Sequence, residues 1–319
     1  MLEVVDVFCG AGGLSLGLRQ GGIIVRAGLD AGLHCIATYR RILTGTDGTI
    51  ADVRTLKAKD ILRHVRFKDN LVLAGCPPCQ MFSQLHRRKL REPLGEEFTA
   101  YLRLLWSVRP AYVVFENVPR IVDREDAWGA LTERLDRLGY HYASRVVTAD
   151  HFGVAQRRRR LVLVAARTPI EIPAPSVVEA KTVRDAIGHL PNVDPNIPNH
   201  VTMNLSQLNH ERIRLTRPNG GKSKPSRMPF DDSYGRMEWD RPAPTITTRC
   251  VSFSNGRFGH PKFHRAITVR EAACLQGFPE DYVFEGGIKE TARQVGNAVP
   301  PPLARWLAGL IIAHYKRSS

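Results

Sequence analysis

"LEVVDVFCGAGGLSLGL", residues 2–18, runs from an apolar segment through a glycine-rich turn into a stretch with helical spacing. A strand that is apolar throughout must be covered on both faces. Followed by a glycine turn and a helix, it predicts the opening of a doubly wound, mostly parallel sheet. Further apolar runs stand at "GIIVRAGLD" (22–30), "NLVLAG" (70–75), "AYVVFENV" (111–118) and "RLVLVAAR" (160–167). Between them, "HCIATYRRIL" (34–43), "EFTAYLRLLWSV" (97–108) and "DAWGALTERLDRLG" (126–139) have the spacing of amphipathic helices. Strands alternating with helices in this way specify an α/β fold.

The alternation stops near residue 190. Residues 191–265 are rich in Pro, Gly, Asn and Ser and hold twelve Lys or Arg against six Asp or Glu. The expectation is a small, loop-rich, basic domain at 191–265, inserted between the parts of a larger domain at 1–190 and 266–319. Helical periodicity returns in "ITVREAACLQGFPEDY" and "ETARQVGNAVPPPLARWLAGLIIAHYKR".

A chain of 319 residues, 43% hydrophobic, can bury one substantial core and carry a smaller second domain. Lys and Arg number 46 against 31 Asp and Glu, a formal charge of +15. That excess nominates a polyanionic partner, since neutralising phosphates releases counterions; a merely positive surface is the alternative. No segment reaches the roughly 18 apolar residues of a membrane span, and no leader pattern opens the chain, so a cytoplasmic protein is expected. The six cysteines, at 9, 35, 76, 79, 250 and 274, are too sparse for a disulfide scaffold. Only Cys76 and Cys79 lie close together, and a structural zinc site would want a second such pair; no metal is expected.

In "DVFCGAGG" (6–13) the glycines allow close approach of a ligand, but Ser15 stands where a dinucleotide fingerprint needs its third glycine. Asp30 closes the second run where an acid can hold a ribose hydroxyl pair, and Asp52 could accept from an adenine amine. A nucleoside without pyrophosphate fits this set better than NAD, and an ordinary tight turn remains the plain alternative. In "AGCPPCQMFS" (74–83), Cys79 follows two prolines at the carboxyl end of a buried strand. It can be a nucleophile on a stiff turn, half of a redox dithiol, or a buried structural cysteine. Glu116 in "FENVPR" should share that sheet edge, giving a thiol with a proton donor. In "QRRRR" (156–160), Arg158 and Arg160 can share a face while Arg157 and Arg159 point away, unless the run is only solvated charge.

Taken in order, "DVFCGAGGLSLGL", "GCPPCQMFS", "FENVPR", "QRRRR", "REAACLQGFP" and "GNAVPP" closely resemble the bacterial DNA (cytosine-5) methyltransferases of restriction-modification systems, from about residue 3 to 310. The resemblance thins over 191–265, where that family keeps its target-recognition domain. It implies a Rossmann-like, S-adenosylmethionine-dependent methyltransferase fold. It makes Cys79 the nucleophile, Glu116 the group at cytosine N3, and Arg158 and Arg160 the arginines of a Q-x-R-x-R motif, with Arg160 toward the cytosine O2. Around the base it implies Pro78, Gln80, Ser83, Asn117 and Val118, with Ser83 at a phosphate. For S-adenosylmethionine it implies Phe8 against the adenine, Gly10, Gly12 and Gly13 under the methionine portion, Asp30 at the ribose and Asp52 at the adenine amine. Asn297 matches the motif that returns the C-terminal segment to the first strand. Departures stand at Ala31, where some members have a large apolar residue, and at Cys76, where glycine is commoner.

The resemblance further implies duplex DNA as partner, a target cytosine flipped out of the stack, a mobile loop at 80–95, and a monomer working in the bacterial cytoplasm, with a cognate restriction endonuclease as a possible companion. Three rivals are an RNA cytosine methyltransferase on the same scaffold, a silent DNA-binding relative and a thiol oxidoreductase. The first should carry a Cys-Phe-Thr segment that this chain lacks; the second should have lost Cys79 or Glu116.

Overall fold

Strands β1 (Glu3–Val7), β2 (Ile24–Asp30), β3 (Asp47–Ile50), β4 (Leu71–Gly75), β5 (Tyr112–Asn117), β6 (His141–Thr148) and β7 (Arg159–Ala166) form one sheet in the order β3-β2-β1-β4-β5-β7-β6. They belong to a computed structural model that describes residues 1–78, 94–176, 178–223 and 233–318. β1 runs parallel to β2 and β4, β2 to β3, and β4 to β5, whereas β7 is antiparallel to β5. The chain winds outward from β1 to β3, then returns to place β4 on the other side of β1. The gap between the carboxyl ends of β1 and β4 is therefore the switch point at which such sheets bind ligands.

β1, β4 and β5 are buried along their whole length, in keeping with their largely apolar sequences. Helices α1 (Gly13–Gln20), α2 (Leu33–Ile42), α3 (Ala58–Leu62), α4 (Glu96–Val108) and α5 (Glu125–Arg137) connect the strands. One face of the sheet packs Val5, Val7, Leu73 and Phe115 against Tyr101, Leu104 and Leu105 of α4. Close approach here depends on Gly75, where a Cβ would lie 2.5 Å from the Tyr101 ring.

Two compact units emerge. The first comprises 1–147, 159–175 and 303–319; the second comprises 148–158 and 176–302. The second unit holds α6 (Val183–Ile187), α7 (Gln207–Leu215), α8 (Val269–Leu275) and α9 (Ile288–Asn297), while α10 (Pro301–Ser318) belongs almost wholly to the first. The expected insertion at 191–265 thus lies inside a larger unit. The reason is side-chain ties across that boundary: Arg265 donates to both Glu271 oxygens at 2.8 and 2.7 Å, and His200 Nδ1 lies 2.9 Å from Thr268 Oγ1. Asn199 likewise donates to the Phe284 carbonyl at 2.9 Å.

With few strands to hold it, the basic segment uses a buried arginine as a brace. Arg236 donates to the carbonyls of Ile213 (2.7 Å), His260 (2.9 Å) and Phe263 (2.7 Å), beside a small core of Ile213, Tyr234, Phe253 and Ala266. Each bond satisfies a carbonyl that no sheet ladder reaches.

Candidate active site

Beyond Val7 the chain leaves the sheet abruptly, because Phe8 takes φ 61°, in the left-handed region that non-glycine residues rarely adopt. Gly10 (φ 53°) and Gly12 (φ 88°) continue the turn, and Gly12 caps α1. A Cβ at Gly10 would meet nothing within 4 Å, so the glycine turn presents an open face. Gly13 is the first residue of α1 and is buried. Asp30 ties this turn to β2: its Oδ2 accepts from Gly10 N at 3.0 Å and its Oδ1 from Gly32 N at 2.7 Å. Burial holds its pKa above the ordinary carboxylate value despite those two donors. Each oxygen keeps a lone pair for a ligand hydroxyl.

Asp6, in β1 just before the turn, was not singled out by motif. It is fully buried; its Oδ2 accepts from Ser15 Oγ at 2.7 Å, and Ser15 Oγ in turn accepts from Tyr39 OH at 3.0 Å. Its Oδ1 has no hydrogen-bond partner, and burial pushes the carboxyl up to about 7. The available signal was an acid within the otherwise apolar "VVDVF".

Asp52 is held differently from the expectation of a waiting acceptor. Both its oxygens are engaged by Arg54, whose Nη2 lies 2.6 Å from Oδ2, and this pairing holds its pKa low. An adenine amine at Asp52 would share an oxygen with that guanidinium. Asn297 is exposed at the last position of α9, in the second unit. The C-terminal element that packs on the first unit is α10, where a Cβ on Gly21 would lie 2.3 Å from that of Ala308.

Cys79, Gln80, Ser83 and the basic run at 87–91 lie outside the described residues. The turn leading to them is held from β5. Asn117, buried at the strand end, donates from Nδ2 to the Pro77 carbonyl at 3.1 Å and accepts from Val118 N at 2.9 Å. Pro78 is exposed, and Val118 is partly buried against the core. Asn117, expected to touch the base, is therefore engaged in pinning the turn.

Glu116 is 6% exposed, and its Oε1 lies 3.0 Å from Arg160 Nε. That contact is an ion pair by distance only, because Oε1 makes no hydrogen bond of good geometry. Arg160 also donates from Nη1 to the Arg159 carbonyl at 2.7 Å. The alternation expected of "QRRRR" holds: Arg157 and Arg159 are exposed, Arg158 is buried and Arg160 is mostly covered. The catalytic role expected of Arg158 does not follow from its surroundings. Its Nη1 donates to the Ile246 carbonyl and its Nη2 to the Gly296 carbonyl, both at 2.8 Å. Buried backbone acceptors take a guanidinium that has no water to turn to, so Arg158 braces the second unit. Gln156 helps: Ile246 N donates to its Oε1 at 2.8 Å, and its Nε2 bonds Gln276.

Among the described residues, no cluster of three or more His, Cys, Asp or Glu could hold a metal, and no helix is long and apolar enough to cross a membrane.

A mostly parallel sheet with a glycine turn after β1 and an acid closing β2 defines the S-adenosylmethionine-dependent methyltransferase class of fold. The family model for C-5 cytosine-specific DNA methylase matches residues 2–313, and the chain belongs to that family. Its activity is that of a DNA (cytosine-5) methyltransferase of the restriction-modification type. The Type II methylase M.HgiDII of Herpetosiphon aurantiacus is 36% identical, over 96% of this chain and 93% of that protein. The Type II methyltransferase M1.HphI of Haemophilus parahaemolyticus is 34% identical, over 98% of this chain and 87% of that protein. Among solved structures, a prophage-encoded protein of E. coli superposes with TM-score 0.78 at 24% identity, over 99% of this chain and 100% of that one. The Dnmt2 methyltransferase of S. pombe superposes with TM-score 0.70 at 19% identity, over 98% and 99%. At these identities the two structures speak for the fold alone.

Proposed function

We propose that this enzyme methylates C5 of a cytosine flipped out of a short specific sequence in duplex DNA, through a covalent bond between Cys79 and C6 of the base. The observation that carries this reading is the buried Glu116–Arg160 pair beside the turn that Asn117 pins. Cytosine C5 is a poor nucleophile until a thiolate adds to C6. As the Cys79 sulfur bonds C6, electrons would move toward N3, where Glu116 would protonate or hydrogen-bond the ring nitrogen so that no full anion builds up. Arg160, on the same carboxyl, is the guanidinium for the cytosine O2. After transfer to C5, loss of the C5 proton restores the double bond and expels Cys79.

S-adenosylmethionine would supply the methyl as a sulfonium, an electrophile that enamine-like C5 can attack. The open face at Gly10, the half-buried Phe8 and the lone pairs left on Asp30 fit such a nucleoside-bearing donor. Gly12 and Gly13 would shape the turn beneath it, Asp52 would meet the adenine amine beside Arg54, and Asn297 would complete the cofactor side. S-adenosylhomocysteine would be the product, and no metal takes part. Pro78, Gln80, Ser83 and Val118 would line the approach of the base. Residues 191–265 would read the target, with the enzyme acting as a monomer in the bacterial cytoplasm beside a cognate endonuclease.

Incubation with S-adenosylmethionine and unmethylated genomic DNA, followed by base-resolution mapping, tests the reading. Expected is 5-methylcytosine at one short recurring motif, absent with Cys79→Ser. Motif-specific methylation by Cys79→Ser would overturn the covalent route, and no 5-methylcytosine from a folded, cofactor-binding enzyme would overturn the DNA substrate.

A further inference from the structure

"HPKFHR", residues 260–265, is the tip of a hairpin in the second unit: Gly259 bridges Ala266 in antiparallel fashion, and His260 N donates to the Arg265 carbonyl at 2.9 Å. Two buried side chains hold this tip from beneath. His260 Nδ1 accepts from Lys262 N and Phe263 N, both at 3.0 Å. Arg236 Nη1 donates to the carbonyls of His260 (2.9 Å) and Phe263 (2.7 Å) and, at 3.4 Å, to that of Lys262, while its Nη2 lies 2.6 Å from His264 Nδ1. Asn219 N donates to the Pro261 carbonyl at 2.9 Å.

These bonds decide what the tip can show to a partner. The carbonyls of His260, Pro261, Lys262, Phe263 and Arg265 each already accept from this chain. A guanidinium only donates, so His264 Nδ1 is the acceptor and the proton of its neutral ring sits on Nε2. Partial desolvation, then the cations Arg236 and Arg214, hold the His264 pKa below its ordinary value, in agreement with a neutral ring. His264 is exposed and therefore offers an uncharged N–H donor. Lys262, exposed beside it, adds an ammonium that lies 5.4 Å from the centre of the Phe263 ring. These residues and Arg265, with Asn192 and Val193, line a groove of about 440 Å³. The Asn192 side-chain oxygen there already accepts from Arg265 Nε at 2.9 Å.

We propose that this tip holds the backbone of the substrate duplex: Lys262 and the Nε2–H of His264 bind phosphate, fixing the position of the DNA without reading its sequence. The proposal rests on duplex DNA being the substrate. Phosphate oxygens only accept and recur at every step of the duplex, so a surface whose acceptors are engaged and whose donors are exposed matches them whatever the bases.

The test is equilibrium binding of two duplexes, one with the methylated motif and one without, between about 50 and 200 mM salt. Lys262→Ala should lower the slope of log affinity against log salt by about 0.9, the share of one phosphate, and weaken both duplexes alike by roughly three- to tenfold. His264→Asn keeps an acceptor for Arg236 but has no donor at the Nε2 position. It should weaken both duplexes about threefold with the slope in place, because no charge is removed. An unmoved slope in Lys262→Ala, a loss confined to the motif-bearing duplex, or wild-type affinity in His264→Asn would each overturn the proposal. Both side chains are exposed, so thermal unfolding should match wild type; if Lys262→Ala does not fold, Lys262→Gln removes the same charge and keeps the stem. Failure of the underlying reading would look different, because the wild-type enzyme would then bind and methylate neither duplex.

Discussion

Asn117 Nδ2 reaches the carbonyl of Pro77 over 3.1 Å, joining the end of β5 to the turn that follows β4. The bond sits beside Glu116 and two residues before the expected nucleophile, so it ties Pro77 to the strand end that carries the carboxyl. Asn117→Ala leaves that carbonyl without its donor in a buried setting, a loss of about 1–3 kcal/mol that displacement of the turn can partly relieve. The expected outcome is a fall in kcat of roughly 10- to 100-fold, since small displacements of reacting groups are costly. S-adenosylmethionine affinity should stay within about twofold. An unchanged kcat in single-turnover assays would show that the turn holds itself.

Arg158 and Arg160 are two positions apart in "QRRRR" but should fail in different ways. Removing Arg158 strands the carbonyls of Ile246 and Gly296 in the interior of the second unit. Arg158→Ala should destabilise by about 3 kcal/mol, a drop in Tm of several degrees. Arg160→Ala should cost methylation roughly 100-fold or more while Tm moves little, because its main partner is the Glu116 side chain at the site. Equal thermal losses in the two variants would remove the distinction.

The central strands were legible because burial on both faces forces a continuous apolar run, as in "VLAG" and "YVVF". β3 and β6 lie at the two edges of the sheet, and "DGTI" and "HYASRVVT" keep polar residues that give no such run. The extent of the second unit was hidden for another reason: Arg265–Glu271 and Asn199–Phe284 are tertiary ties with no periodic trace. The same holds at the site. Glu116 was readable from its place at a strand end, whereas the Asn117–Pro77 bond spans forty positions and the Arg158 carbonyls still more. The Asp52–Arg54 pair, by contrast, is local and could have been read from "DVR".

Gly75 should not tolerate a methyl group. A Cβ there would lie 2.5 Å from Tyr101 Cε2, inside a core that α4 closes. Gly75→Ala should destabilise by about 1–3 kcal/mol through overpacking, and Tyr101→Leu in the same chain should recover part of that loss. Urea unfolding of the single and double variants measures both; additive losses would show that the ring is not what the methyl meets.

The pH dependence of stability should carry the mark of Asp6. Its folded pKa, about 7, lies above the ordinary value of 3.8, because burial disfavours its charge and the Ser15 hydroxyl offsets this only in part. A raised carboxyl binds its proton more tightly in the folded chain. Its contribution is therefore complete below pH 3.8 and is lost as pH rises toward 7, with no further change above. The ceiling on that loss is of order 4 kcal/mol, at about 1.4 kcal/mol per pH unit. Other carboxyls add slopes of their own, so the informative quantity is the stability of wild type minus that of Asp6→Asn, whose amide cannot titrate. This difference should fall steadily between pH 4 and 7 and level off above it in chemical denaturation. A flat difference across that window would mean that Asp6 is ionised when folded, and would direct attention to a donor reaching the Oδ1 that has no hydrogen-bond partner here.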